Sequence, residues 1–243
     1  MAYSKELFDT LRSNADSVRQ KIADACKQAG RDPSEVTLVG VSKVFPVEYA
    51  EAAFAGGLMD LGENRVQELV PKIETMDSLG LHPNWHLIGT LQRNKVKYII
   101  GKTYLIHSVN TLELALEIAK RSESAGIVTD ILLQGNVSGE QSKHGFAPDE
   151  LLKAVEYVSA MEGIRLRGFM TMAPIETAPG QARPVFAATR ELYEKAKSCV
   201  KDPSSFNVLS MGMSGDFTEA ILEGSTCVRV GTAIFGNRNA YNA

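Results

Sequence analysis

The chain has 243 residues, 44% of them hydrophobic and 23% charged, with 26 Lys+Arg against 29 Asp+Glu. Those proportions exclude disordered, collagen-like and low-complexity classes. A formal net charge of −3 leaves no basic footprint for nucleic acid, and no apolar run approaches the ~20 residues needed to cross a bilayer.

The first element is an amphipathic helix over 4–29, with Leu7, Leu11, Val18, Ile22 and Cys26 on one face and Gly30 as the C-cap. A β-branched run, Val36–Val41, follows, then a helix from Val47 to Ala55 closed by Gly56-Gly57. The alternation then repeats. Strand candidates at Leu58–Leu61, Trp85–Ile88, Tyr104–His107, Val128–Leu133, Arg165–Phe169, Phe206–Leu209 and Cys227–Val230 are separated by helical segments. Those segments are Asn64–Met76, Arg93–Ile100, Asn110–Ser124, a helix opened by Pro148, Ala182–Val200 and Ser214–Leu222. Asn110 with Glu113 has capping-box spacing, as does Asp216 with Glu219.

Strands alternating with helices imply right-handed crossovers and a parallel sheet. The length suits two small domains or one α/β barrel, which typically runs to about 250 residues. Eight units without a Pro/Gly/Ser-rich linker favour the barrel: one (β/α)8 TIM barrel domain over 1–243, with an extra N-terminal helix. An open doubly wound sheet is the alternative. The start, Met1–Glu6, lacks a signal-peptide pattern. Three widely spaced cysteines (Cys26, Cys199, Cys227) argue for a reducing, cytoplasmic setting and for structural thiols.

In such a barrel the working residues sit at the C-terminal ends of strands. Lys43 directly follows the first strand, where desolvation favours a neutral, nucleophilic amine able to form a Schiff base; an exposed loop lysine is the other reading. Ser210-Met211-Gly212-Met213-Ser214-Gly215 and Gly231-Thr232 follow the last two strands, where barrels often bind phosphate. The same residues could form an ordinary Gly/Ser loop. Arg229 lies inside the last strand and needs a partner, either a carboxylate such as Glu63 or a bound ligand. His82 and His86 are four apart, but Pro83-Asn84 between them argues against a helix and so against a zinc site.

These segments together resemble the pyridoxal phosphate homeostasis protein family. The resemblance rests on Val41-Ser42-Lys43, Gly62-Glu63-Asn64-Arg65, Trp85 to Gln92 and Asn94-Lys95. It continues through Asn136-Val137-Ser138 with Lys143, Gly168 to Met172, Leu209 to Ser214 and Gly224 to Gly236. Val44-Phe45, where that family commonly has Thr-Lys, and Gly135, where a bulkier residue is usual, are departures.

The resemblance implies a fold-type III barrel, like the N-terminal domain of alanine racemase, carrying pyridoxal 5′-phosphate as a Schiff base on Lys43. Ser210, Gly212, Ser214, Gly231 and Thr232 match its phosphate-binding segments, Arg229 the arginine facing the pyridine nitrogen, and Asn64 a polar residue near the ring. An arginine there disfavours protonation of that nitrogen and makes a weak electron sink. The chain ends at Ala243, with no room for the C-terminal domain that brings racemases a catalytic tyrosine. The expectation is therefore an intracellular, monomeric carrier that binds, buffers and delivers the cofactor with little turnover, its partners being PLP-dependent apo-enzymes. A fold-type III racemase or lyase, and a regulatory partner-binding barrel, are the alternatives.

Overall fold

A computed structural model describes residues 3–139, 144–174 and 180–237. Lys143 and the segment Arg238–Tyr241 lie outside the described residues.

Eight parallel strands close into a barrel in sequential order. They are β1 (Thr37–Val41), β2 (Asp60–Glu63), β3 (Asn84–Leu87), β4 (Leu105–Val109), β5 (Thr129–Gln134), β6 (Ile164–Met170), β7 (Val208–Ser210) and β8 (Cys227–Val230). Closure comes from β1 on β8, with Thr37 opposite Cys227 and Gly40 opposite Val230. The barrel is the architecture expected from the alternation of apolar runs, and the open sheet is ruled out.

The helices are α1 (Lys5–Gln28), α2 (Val47–Ala55), α3 (Val66–Ser78), α4 (Leu112–Ser124), α5 (Pro148–Ser159), α6 (Arg183–Ala196), α7 (Phe217–Leu222) and α8 (Thr232–Phe235). Ser4 caps α1 by accepting the Leu7 N–H at 3.1 Å. The helix buries Leu11, Ala15, Val18, Ile22, Ala25 and Cys26, the stripe that a 3.6-residue period creates. Asn14 reaches across to donate to the Ile234 carbonyl at 2.9 Å, tying α1 to α8. No helix among the described residues is long and apolar enough to cross a membrane.

Three local expectations are corrected. The segment after β3 is a 3-10 helix, Arg93–Tyr98, in which only Val96 is buried. Val96 and the C-cap Ile99 are both fully buried, and their three-residue spacing is one that a 3-10 turn keeps on a single face. The cap of α4 is Thr111, not Asn110: the Thr111 hydroxyl accepts the Leu114 N–H at 3.2 Å. Asp216 precedes α7 but makes no side-chain cap to it; its Oδ1 accepts the Met213 N–H instead.

Alternation along the strands divides the apolar residues into two sets. Leu61, Trp85, Leu87, Ile106, Ile131, Leu133, Phe169, Leu209 and Val228 pack outward with the helices in the main core. Leu105, Leu132 and Met170 form a small separate cluster inside the barrel. Much of the remaining interior is polar: His86, His107, Ser210 and Arg229 are all buried.

Candidate functional site

A cavity of about 520 Å³ opens at the C-terminal ends of the strands. Lys43, Asn64, Ser214, Arg229, Gly231 and Thr232 line it, together with Gly89, Thr90, Gln134, His144, Met172 and Met213. Six of the eight residues singled out from sequence thus share one pocket. The other two lie beneath it: Ser210 is buried and supports Arg229, while the Gly212 carbonyl accepts the Arg229 N–H at 3.0 Å.

Lys43 projects from the turn after β1, half-buried, and Val44 beside it adopts φ +74°. This region favours glycine and is an outlier for a β-branched residue. Two contacts hold the turn. Val44 donates its N–H to Glu68 Oε2 at 2.8 Å, and Lys72 Nζ donates to the Ser42 carbonyl at 2.9 Å. Lys72 also pairs with Glu63 Oε1 at 2.5 Å, which takes the Ser42 hydroxyl at 2.6 Å as well. Glu63 is thus engaged by Lys72 and is not the partner of Arg229. Burial pushes the Glu63 carboxyl up from its ordinary value, against the lowering effect of Lys72 and Ser42.

The glycine-rich loop is shaped by close packing. Gly212 has φ +96°, and a Cβ there would stand 2.7 Å from Ala220 Cβ and 2.8 Å from Phe217 Cα. Beyond it, Ser214 Oγ accepts backbone N–H groups from Gly231 at 3.2 Å and Ala233 at 3.4 Å. Two main-chain donors therefore converge on the Ser214 hydroxyl oxygen, and paired N–H groups of this kind are suited to oxyanions. The acidic residues nearby turn away from that spot, Asp216 to Met213 and Glu219 to the Gly180 N–H at 2.9 Å.

Arg229 forms part of the pocket floor. It donates to Ser210 Oγ at 2.6 Å and to the Thr171 carbonyl at 2.9 Å, and no carboxylate of the described residues lies within ion-pair distance of it. Burial lowers its pKa from the ordinary arginine value, yet arginine stays protonated in proteins. The floor of the cavity is accordingly a fixed cation held by neutral groups.

Two lining residues, Gln134 and His144, carried no sequence signal of their own. Gln134 ends β5 facing inward, a position that strand alternation allows one to read once the barrel is assumed. Gly89 lets the Asn64 backbone approach, since a Cβ would overlap Asn64 O at 2.3 Å. His82 is exposed and pairs with Asp77, whereas His86 is buried in the barrel, so the two share no site.

Residues 9–239 match the family described as alanine racemase, N-terminal domain. A protein of Aquifex aeolicus named pyridoxal phosphate homeostasis protein is 43% identical over 225 residues, covering 91% of this chain and 95% of its own. The protein of the same name from Pseudomonas aeruginosa is 40% identical, covering 96% and 97%. Among solved structures, PipY of Synechococcus elongatus with PLP bound superposes with a TM-score of 0.75 at 30% identity, over 88% of this chain and 100% of its own. With the barrel, the family match and these near full-length relatives, the chain belongs to the pyridoxal phosphate homeostasis protein family, built on the alanine racemase N-terminal domain.

Proposed function

We propose that this chain binds pyridoxal 5′-phosphate with Lys43 as its covalent partner. On this reading it serves cytoplasmic homeostasis of that cofactor as a monomer, holding it and handing it on to PLP-dependent apo-enzymes. The observation that carries the reading is the sharing of one cavity by the Lys43 side chain, the Ser214 hydroxyl with the Gly231 backbone that donates to it, and the buried Arg229 guanidinium.

These groups fit an amine-reactive aldehyde, a phosphate dianion and an aromatic nitrogen. Two backbone N–H groups and the Ser214 hydroxyl, with Thr232 beside them, would take the phosphate. Asn64 lines the same cavity and supplies a polar side chain for the ring. When bound, pyridoxal phosphate supplies an aldehyde that takes up a lysine amine with loss of water. Arg229 presents only N–H donors to the pocket and keeps its charge, so it opposes protonation of a heteroaromatic nitrogen set against it. That favours retention of the cofactor over carbanion chemistry, and supports a carrier.

The test is borohydride reduction of protein incubated with pyridoxal phosphate, followed by peptide mapping. A pyridoxyl group on Lys43, absent in Lys43→Ala, is the expected result. Equal binding by Lys43→Ala, or sustained α-proton exchange of amino acids that depends on Lys43, would overturn the reading.

A further inference from the structure

The Arg229 guanidinium is buried without an adjacent carboxylate, an arrangement that is costly unless the charge is compensated. The interior of the barrel contains a continuous path that does so. Arg229 donates to Ser210 Oγ at 2.6 Å, and Ser210 Oγ lies 2.9 Å from His107 Nδ1. His107 Nε2 lies 2.9 Å from His86 Nδ1, and His86 Nε2 lies 3.0 Å from Asp60 Oδ1. Asp60 stands at the start of β2 and lines a separate polar cleft of about 300 Å³ with Asn84, Tyr104 and Arg167. The path thus begins under the pocket and ends at the opposite mouth of the barrel.

The two ends determine the direction of every bond between them. A guanidinium can only donate and a carboxylate can only accept. His86 therefore carries its proton on Nε2, facing Asp60, which leaves Nδ1 as an acceptor in the neutral ring. His107 then donates through Nε2 and accepts through Nδ1, and the Ser210 hydroxyl supplies that last hydrogen. Every donor points the same way, from the cation toward the carboxylate. His107 is completely buried and its pKa is held well below the ordinary 6.5 by burial, with His86 and Arg229 adding to the effect, in keeping with a neutral ring. Asp216 acts on Arg229 at longer range.

We infer that Asp60, His86, His107 and Ser210 are positioning residues for Arg229, forming one directional hydrogen-bond chain that fixes the pocket floor from the far end of the barrel. Asp60 touches nothing in the pocket, so its effect there must travel through the imidazoles. The inference about the chain is independent of the cofactor; only the effect on binding rests on the function proposed above.

The experiment is long-range 1H–15N NMR of histidine-labelled protein at pH 7.5 without added pyridoxal phosphate. Both His86 and His107 are expected as neutral Nε2–H tautomers; an imidazolium or an Nδ1–H tautomer at either would overturn the assignment. In Asp60→Ala the acceptor is gone and the chain can reverse, so His107, which does not touch Asp60, is expected to become a mixture of tautomers. Asp60→Asn keeps an accepting oxygen and is expected to preserve the wild-type pattern. An unchanged His107 in Asp60→Ala would refute transmission along the chain. Equilibrium binding of pyridoxal phosphate is expected to weaken about tenfold in Asp60→Ala and to recover in Asp60→Asn; equal affinity in all three proteins would refute positioning of Arg229. A wild type that binds no pyridoxal phosphate would defeat the proposed function while the tautomers still judge the chain.

Discussion

Glu68, in the first turn of α3, accepts the backbone N–H of Val44 at 2.8 Å, and Val44 is the one non-glycine described residue with positive φ. The residue that follows Lys43 is therefore held in a strained conformation by a carboxylate on the neighbouring helix. Left-handed backbone costs a non-glycine residue about 1–2 kcal/mol, and a hydrogen bond to a charged group returns a comparable amount.

Glu68→Ala should accordingly lower unfolding free energy by about 1–2 kcal/mol and weaken pyridoxal phosphate binding, because the turn that aims Lys43 loses its tether. Val44→Gly should be neutral or stabilising by up to about 1 kcal/mol, strain relief exceeding the entropy that glycine adds to the unfolded chain. Urea denaturation checks both. A Val44→Gly variant that loses more than it gains would contradict the strain argument.

The buried Glu63–Lys72 pair should be asymmetric under mutation. Lys72→Met leaves a carboxylate in a site where Oε2 already has no partner among the described residues, and should cost about 3–5 kcal/mol. Combining it with Glu63→Gln should recover most of that loss. The pH dependence has a definite sign. Because burial raises the Glu63 pKa in the folded state, the folded protein holds this proton more tightly than the unfolded chain. The contribution is largest below the ordinary value of 4.5 and is lost as pH rises through the raised folded value. Stability measured from pH 4 upward should decline more steeply in Lys72→Met than in the wild type, since a lowering influence has been removed.

Ser214→Ala tests the anion cradle. The variant removes the hydroxyl on which the Gly231 and Ala233 N–H groups converge, so affinity for pyridoxal phosphate should fall roughly tenfold, the effect of about 1.4 kcal/mol. Affinity for pyridoxal, which lacks the phosphate, should hardly change. A parallel loss for both ligands would assign Ser214 to the fold and not to phosphate. Gly212→Ala should instead destabilise the protein outright, because the new Cβ meets Phe217 and Ala220 and the backbone conformation disfavours any side chain.

Thiol reactivity should divide the cysteines. Cys26 and Cys227 are buried, and burial pushes the Cys227 thiol up to about 11 and raises that of Cys26. Alkylation of native protein at pH 8 should modify Cys199 alone, and all three only after unfolding. Rapid labelling of Cys227 in the native state would show that the barrel interior opens.

The order of elements was legible because it is encoded locally. Runs such as Val36–Val41 and the Leu11, Val18, Ile22 stripe bury one face whatever lies beyond them, so alternation and helical period suffice to name strands and helices. Lys43 and the loop after β7 were legible for a similar reason, since strand ends in a barrel all open to one mouth. The cap of α4 was not, because Asn110 and Thr111 compete for that role at nearly equal energy, and neither was the 3-10 turn at Arg93–Tyr98, because apolar residues three apart suit either kind of helix. What only the tertiary structure decided is the company each buried charge keeps. Arg229 rests on Ser210 and not on Glu63, and Ser210 meets His107 across 103 positions of sequence. Those pairings exist because closing β8 onto β1 brings remote inward-facing side chains within 3 Å, a distance at which hydrogen-bond direction is dictated by which partner holds the proton. Pattern along a chain records which residues turn inward; only the closed barrel determines what they find there.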